Sequence, residues 1–409
     1  MIVLRGLPGP TTRGQAVRTV ELVLGDAATY GFVDAGGRVV VAEKVADGSF
    51  SAIRYPGTRA NASGVWQAGA LQVVWTEQWD PGRRRPQPRD SARSGVSHFL
   101  YVQRRHGQWS LEEPIYRARA LEEYATHHSR IVATSAGRLD FAFSRFTVKG
   151  LELVHLRRDS VGWHARDLSW PRYTGVRPFS PIYPTLAVSP ATRIYLAFVA
   201  APQDDRHGGQ RPDNTNSTFL IRSDDGGVTW SPPAIVSWSG GRYASQLQIV
   251  AGQGDTVHLL WARSPKGAVF PNTVVHTMST DGGVTWTEPT EVWAPGVGRL
   301  VRTVRIVRGH SGEIQFAGST YGGIWWAHYL DGVWSAPVRI REERRAEPFD
   351  IALDGRDRLH LLWEHEDADG GGYDTIHDRQ LLYAVRAACG ERGGARSRSR
   401  AQAAASQPP

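Results

Sequence analysis

The chain of 409 residues is poor in cysteine and lysine and has no long apolar run. The shortage of cysteine and the lack of apolar runs each exclude a class of protein. A single cysteine, Cys389, excludes an internal disulfide framework and any cysteine-based zinc or iron–sulfur site. No stretch approaches the ~18 apolar residues of a membrane-spanning helix, so we expect no membrane span. Phosphate-loop, metalloprotease and serine-hydrolase motifs are also missing, so we expect no cofactor and no metal site.

The beginning of the sequence lacks the apolar stretch of a secretory signal peptide. Arg5 and several turn-forming residues stand where that stretch would lie. The sequence as given therefore predicts a cytoplasmic location by default, and a secreted protein if the start is mis-assigned. The localisation stays open.

Lysine occurs only at positions 44, 149 and 266, whereas arginine occurs 45 times, a bias typical of a GC-rich bacterial genome. The formal charge of +8 is concentrated in two places. Residues 81–95 carry +4 and the tail from residue 390 carries +3, which leaves the rest nearly neutral. Because no basic helix or nucleic-acid motif is present, we expect no nucleic-acid partner.

Two segments, residues 223–230 and 279–286, share the pattern S-x-D-x-G-x-T-W. Shorter versions, in which a turn precedes an aromatic residue, recur along the chain. The aromatic residue of each copy is spaced from the next by about 57 residues on average: Phe50, Trp109, Trp163, Trp230, Trp286 and Trp334. A fixed period of this length indicates a repeat protein.

Each repeat holds four predicted antiparallel strands, which we name A to D, and the short turn joins C to D. Alternation such as that in residues 256–261 indicates strands, and no amphipathic helix is evident. Four-stranded units repeated radially are the blades of a β-propeller. We predict an all-β, seven-bladed propeller over residues 1–389, with Ile2–Leu4 as strand D of the last blade; six blades are the alternative count. Residues 390–409 are predicted to be a disordered basic tail.

The S-x-D-x-G-x-T-W segments resemble the Asp-box, or BNR repeat, of the sialidase-like propellers. The resemblance implies structural roles, in which the carboxylate accepts N–H groups across the turn, glycine takes positive φ and tryptophan packs between sheets. The residues that match are Ser223, Asp225, Gly227, Trp230, Ser279, Asp281, Gly283 and Trp286. In this family the Asp-box turns lie away from the active site, so we expect the ligand on the opposite face.

Arginine recurs in the connections that should emerge on that opposite face. Long insertions between strands B and C are expected there too, at residues 78–97, 201–216 and 365–378. Guanidinium groups pair bidentately with carboxylates, and tyrosine adds stacking or a hydroxyl contact, so we expect a funnel for a carboxylated ligand. The candidate binding residues are Arg54, Tyr55, Arg145, Arg242, Arg263 and Arg302. The alternative is that these arginines cap loops or pair with acids such as Glu122, Glu342 and Glu343.

A working sialidase also needs an Asp acid/base and a Tyr nucleophile activated by Glu. The segment from Ile53 to Pro56 is similar to the family's first arginine motif, which would make Arg54 the first of three substrate-binding arginines. The resemblance assigns Arg263 and Arg302 to the second and third. It assigns Asp80 as acid/base, with Asp90 as the fallback, and Tyr321 as nucleophile, with Tyr373 as the weaker candidate.

The resemblance fails at the proton transfer, because Gln246 and Gln248 stand where the activating Glu is expected. An amide cannot take the phenolic proton. We therefore predict a protein that binds a sialic-acid-type or uronic-acid-type glycan without standard sialidase catalysis. An active retaining exo-sialidase and a non-enzymatic scaffold that docks a protein partner through the long B–C loops are the alternatives.

Overall fold

The computed structural model describes residues 2–4, 17–26, 28–35, 39–44, 50–54, 60–77, 98–117, 124–134, 136–147, 150–168, 177–203, 216–238, 240, 242–296, 299–342, 349–367 and 378–386. Every regular element in these residues is a β-strand. None of them forms a helix with the length and apolar character needed to cross a membrane. The proposed tail, residues 390–409, lies outside the described residues.

The strands form seven separate antiparallel sheets, one for each blade. Blades 1 and 2 contain β2 (Val17–Leu24), β3 (Thr29–Ala35), β4 (Val39–Lys44), β5 (Phe50–Arg54), β6 (Ala60–Gln67), β7 (Ala70–Glu77), β8 (His98–Arg105), β9 (Gln108–Trp109) and β10 (Glu113–Arg117). Blades 3 and 4 contain β11 (Tyr124–His128), β12 (Val132–Ala133), β13 (Leu139–Thr147), β14 (Gly150–Arg158), β15 (Trp163–Leu168), β16 (Arg177–Val188), β17 (Ile194–Gln203), β18 (Ser217–Ser223) and β19 (Ala234–Ser237).

Blades 5 and 6 contain β20 (Ala244–Ala251), β21 (Val257–Arg263), β22 (Thr273–Ser279), β23 (Thr290–Trp293), β24 (Thr303–Arg308), β25 (Ile314–Thr320), β26 (Gly323–Leu330), β27 (Val333–Trp334) and β28 (Val338–Arg341). Blade 7 contains β29 (Phe349–Leu353), β30 (Leu359–Asp367), β31 (Asp378–Arg386) and, from the other end of the chain, β1 (Ile2–Leu4).

The ring is a seven-bladed propeller, so the prediction of seven blades is confirmed and the six-bladed count is wrong. The inner strand of each blade contacts that of the next, with β12 making the contact to β6 between blades 2 and 3, and the last contact joins β29 to β2. In blade 7, Val3 of β1 lies opposite Leu382 of β31, so a strand from the start of the chain completes the last sheet. This pairing joins the two ends of the chain at the outer edge of the sheet, and β29 at the inner edge contacts β2 of blade 1.

Apolar side chains pack between neighbouring blades, where six hydrophobic clusters fill six successive interfaces. Large aromatic residues such as Trp75, Trp261 and Trp363 are almost fully buried in them. Burial of apolar surface contributes roughly 25 cal/mol per Å², so the packing between blades stabilises the ring.

The two faces of the propeller differ. Hydrogen bonds in blade 5 define them: Gly282 N donates to Asp255 O at 2.8 Å at one end of the sheet, and Ser264 N donates to Tyr243 O at 3.0 Å at the other. The first of these ends carries the two S-x-D-x-G-x-T-W turns, for which we keep the label Asp-box turns from the resemblance noted above, and we call it the lower face. The other end, where each first strand begins, is the upper face.

Both Asp-box turns are held by their own side chains. Asp281 Oδ1 accepts from Ser279 Oγ at 2.7 Å and from Thr285 N at 2.9 Å, and the turn of residues 223–230 has the same pattern. These hydrogen bonds, above all those from Thr285, hold the pKa of Asp281 well below its ordinary value. Gly282 and Gly283 have φ of 72° and 83°, which favours glycine over any other residue.

Candidate functional site

Two arginines predicted from the sequence meet on the upper face of blade 5. Arg263 is the last residue of β21 and lies opposite Ala244, which comes two residues after Arg242. Burial and the neighbouring charge of Arg242 lower the pKa of Arg263, with Glu291 opposing that shift. Neither guanidinium forms an ion pair with any residue that the structure describes. Among the described residues, the pair is therefore a concentrated positive charge that no carboxylate contacts.

Beside this pair lies a cluster of two tyrosines, Tyr183 and Tyr243. A bulge occurs in the inner strand of each of the two blades that contribute to it. Tyr183 in β16 and Gln246 in β20 have φ of 52° and 54°, and each stands in an irregular stretch of the inner strand. The side chain of Tyr243 hydrogen-bonds those of Tyr183 and Asn216, and burial followed by the Tyr183 contact raises the pKa of Tyr243. Positive φ at residues other than glycine is uncommon and often marks a functional site.

On blade 6, Arg302 lies over the ring of Tyr321, 4.9 Å from its centroid. Tyr321 follows β25 in a turn whose next residue, Gly322, has φ of 134°. A Cβ built on Gly322 would lie 3.8 Å from Arg299 Nη1, so a second arginine approaches the same turn. A guanidinium has no acceptor atom, so Arg302 cannot take the phenolic proton that a tyrosine nucleophile must lose.

Arg145 lies in a separate, ion-paired environment. Its Nη2 donates to Glu152 Oε2 at 2.7 Å, and its Nη1 donates to the Tyr116 hydroxyl at 2.8 Å and lies 3.2 Å from Asp167 Oδ1. Because Tyr116 belongs to blade 2, the guanidinium fastens two blades together. The structure thus joins Arg242 to Arg263 and keeps Arg145 apart in contacts with other side chains.

The remaining predicted residues are only partly described. The backbone of Arg54 ends β5 opposite Val40, at the upper end of blade 1. The side chain of Arg54 lies outside the described part of the structure, as do Tyr55, Asp80 and the alternatives Asp90 and Tyr373. Their assignments stay predictions.

The exposed aromatic side chains among the described residues also lie on the upper side. Trp238, 59% exposed, follows β19, and Phe270, 63% exposed, lies between β21 and β22. Tyr183 and Tyr321 are the other two. The exposed large residues of the lower turns are aliphatic, for example Val228 and Val284. Exposed aromatic surface and arginine side chains therefore occur together on blades 4 to 6.

The sequence analysis missed a second constellation, which lies at the axis. Asp350 in β29 is completely buried and accepts hydrogen bonds from Leu22 N at 2.7 Å, from Arg305 Nε at 3.2 Å and from Arg130. Arg130 comes from blade 3 and Arg305 from blade 6. We call these two arginines, Asp350 and Glu21 the axial cluster.

Glu21 in β2 is the second carboxylate of the axial cluster. Its Oε1 accepts from Gly64 N at 2.9 Å and from Ser63 Oγ at 3.1 Å, both in blade 2. Burial raises its pKa to about 7, with the charge of Arg130 opposing and that of Asp350 adding to the rise. Glu21 therefore titrates near neutral pH.

A break in the inner strand of blade 3 places Arg130 at the axis. Ser129 Oγ accepts from Ala142 N at 2.9 Å, and Ser129 N donates to Ala142 O at 2.7 Å, between the end of β11 and the start of β12. The sequence did contain a sign of the cluster. Residues 17–20 and 301–304 both read Val-Arg-Thr-Val, so the next residues, Glu21 and Arg305, occupy matching positions in two blades.

No protein family profile matches the chain, and no curated protein does either. Solved structures match its fold. An ulvan lyase of a new polysaccharide lyase family, bound to -[GlcA(1-4)Rha3S]-, has a TM-score of 0.60 and 11% identity, covering 90% of this chain and 92% of that one. The polysaccharide lyase Uly1 has a TM-score of 0.57 and 11% identity, covering 92% and 90%.

A protein of unknown function from Dyadobacter fermentans DSM 18053 has a TM-score of 0.51 and 14% identity, covering 80% of this chain and 95% of its own. At such low identity these similarities establish the fold alone.

Proposed function

We propose that the protein binds an anionic glycan, of the sialic-acid or uronic-acid type, on the upper face of blades 4 to 6. The observation that carries the proposal is the neighbouring pair Arg242 and Arg263, which forms no ion pair with any residue that the structure describes and in which each cation raises the electrostatic energy of the other. A bound carboxylate relieves that repulsion and accepts the fork of N–H donors that a guanidinium presents.

Aromatic side chains supply the second half of glycan recognition. Trp238 and Phe270 expose apolar ring surface in the two connections that flank the arginine pair along the chain. An aromatic face offers a large, rigid contact area to the apolar face of a sugar ring at little cost in conformational entropy. A ligand with both a carboxylate and sugar rings matches this combination. The ulvan lyase of the same fold is bound to a saccharide that contains GlcA.

Binding without standard sialidase chemistry fits the sequence better than catalysis does, because Gln246 and Gln248 stand where the activating Glu is expected. The ring of Tyr321 lies against a cation, and Tyr243 hydrogen-bonds a second tyrosine and an amide. Neither contact supplies the carboxylate base that a phenol nucleophile requires. The role of Asp80 as acid/base belongs to the alternative of an active exo-glycosidase, which a fluorogenic sialoside assay tests directly.

Binding to immobilised sialylated and uronic-acid glycans tests the proposal. The double variant Arg242→Ala, Arg263→Ala should lose at least tenfold in affinity, since each charge-assisted hydrogen bond contributes roughly 1.5–3 kcal/mol. Arg356→Ala is the matched control, because Arg356 is exposed in a turn of the lower face. This variant should bind the glycans as well as the wild type does. Equal binding by the double variant and the wild type would refute the proposal.

A further inference from the structure

The axial cluster is a closed set of four charges in the middle of the ring. Asp350 is shared by Arg130 and Arg305, and Glu21 lies close enough to interact electrostatically with all three. Ser63 and Gly64 are the polar partners of Glu21 from the blade packed beside it. With Glu21 ionised, two cations face two anions and the cluster is neutral.

Protonation of Glu21 breaks this balance. The cluster then carries one excess positive charge in surroundings that are largely shielded from water, where an uncompensated charge is expensive. Burial and the charge of Arg130 lower the pKa of Arg305, whereas the charges of Asp350 and Glu21 outweigh burial and raise the pKa of Arg130. A monovalent anion next to the arginines restores neutrality, so the charge of a ligand and the charge of Glu21 can replace each other.

Arg130 provides the accessible contact. Its side chain is 38% exposed, whereas Asp350 is fully buried and the side chain of Arg305 is 18% exposed. Arg130 lies between β11 and β12, the two parts of the inner strand of blade 3, and its guanidinium reaches Asp350 in blade 7, which places it near the axis of the ring. Asp350 is the second residue of β29 and Arg305 the third of β24.

We propose that the axial cluster is a proton-linked anion site, in which a carboxylate binds Arg130 and Arg305 while Glu21 takes up one proton from solvent. A carboxylate is the best match because it carries the charge and shape of the group whose charge it replaces. The axial site is separate from the Arg242 and Arg263 pair and does not depend on the function proposed for that pair.

Isothermal titration of the full-length protein with sodium glucuronate tests this site. The experiment is carried out in bis-Tris and in Tris, which are cationic and differ in ionisation enthalpy. At pH 7 we expect uptake of about half a proton per bound glucuronate, because Glu21 is then about half ionised. The affinity should fall about fivefold from pH 7 to pH 8 by the same linkage. An affinity independent of pH with no proton uptake would overturn the proposal.

Variants assign the proton and the anion to residues. Glu21→Gln keeps an oxygen acceptor for Gly64 and Ser63, and it should abolish both the proton uptake and the pH dependence. Proton uptake that persists in Glu21→Gln would contradict the assignment. Arg130→Lys retains the charge without the fork and should bind glucuronate at least tenfold more weakly, and unchanged affinity in this variant would also overturn the site. Thermal melts confirm that each variant is folded.

The same titration in Arg242→Ala, Arg263→Ala separates the two sites. Proton-linked binding should persist in this double variant. Loss of the proton-linked heat there would place the linkage at the upper pair and reject the axial site. Failure of glycan binding by the wild type, with proton-linked glucuronate binding intact, would reject only the function proposed for the upper pair.

Discussion

Arg130 on the inner edge of blade 3 donates a hydrogen bond to Asp350 on the inner edge of blade 7, across the axis and 220 positions along the chain. Asp350 also accepts from blade 1 through Leu22 N and from blade 6 through Arg305. One buried carboxylate therefore connects four of the seven blades. A ring held in this way resists separation of its first and last blades.

Replacement of this carboxylate should destabilise the ring strongly. Asp350→Ala leaves two arginines without their shared anion, and removal of one partner from a buried ion pair costs about 3–5 kcal/mol. We expect a loss of that size in the free energy of unfolding, measured by urea denaturation. Glu288→Ala is the control, since Glu288 is exposed and should change stability little. A similar small loss in both variants would contradict the role of Asp350.

Glycine in the Asp-box turn should be needed for space as well as for φ. A Cβ at Gly282 would collide with the Arg193 guanidinium, which pairs with Asp224 and with Asp255. Gly254, in the neighbouring lower turn, also has positive φ, 58°, but open space around its Cβ position. Backbone strain should lower the free energy of unfolding of both alanine variants by about 1 kcal/mol. The collision should lower that of Gly282→Ala further, and chemical denaturation of the two variants measures the difference.

A buried histidine pair should make stability depend on pH. Trp334 Nε1 donates to His276 Nδ1 at 3.1 Å, so His276 carries its proton on Nε2 and donates to His258 Nδ1 at 3.0 Å. Burial lowers the pKa of His258 to about 4, with Arg308 adding to the shift, and that of His276 to about 3, with His258 adding to it. Both imidazoles are therefore neutral in the folded protein at neutral pH.

In the unfolded chain these histidines bind protons near pH 6.5, so the unfolded state binds more protons than the folded state below that pH. Stability should be complete above pH 6.5 and fall as the pH decreases towards 4, by roughly 2 kcal/mol per imidazole at pH 5. Denaturation midpoints from pH 8 to pH 5 measure the loss. The double variant His258→Gln, His276→Gln should show a flatter profile, and an equally steep profile would argue against this origin.

The exposed aromatic residues should contribute to glycan affinity. Trp238→Ala and Phe270→Ala should each weaken binding by about threefold to tenfold, in line with the 0.5–1.5 kcal/mol typical of aromatic stacking. Val284→Ala, at an exposed apolar position of the lower face, should leave the affinity unchanged. Quenching of Trp238 fluorescence by the glycan, absent in Trp238→Ala, provides an independent measurement.

The upper arginine pair should reduce stability in exchange for binding. Arg263→Met removes one of two neighbouring cations and keeps the apolar part of the side chain, so the free energy of unfolding should rise by up to about 1 kcal/mol while glycan binding is lost. A purely structural arginine would behave in the opposite way. A stability loss in Arg263→Met with unchanged binding would therefore favour the loop-capping alternative.

The blade count could be predicted because its signs are local. In each Asp-box turn the carboxylate contacts residues two and four positions away, so a short pattern contains the whole hydrogen-bonding unit. Strand alternation is local as well. The grouping of the binding arginines was different, because Arg145 and Arg263 both lie in the last part of a second strand and only their neighbours distinguish them. Glu152 and Asp167 lie beside Arg145, whereas Arg242 lies beside Arg263.

By itself, the sequence determined the repeat, the strand character of each segment and the turns that join them, because contacts over a few residues decide these features. The tertiary structure alone decided which charges meet, since Glu21, Arg130, Arg305 and Asp350 lie on four different blades. Their distances depend on closure of the ring and on the break at Ser129 that places Arg130 at the axis. Neither the closure of the ring nor the position of this break can be predicted from a pattern of neighbouring residues.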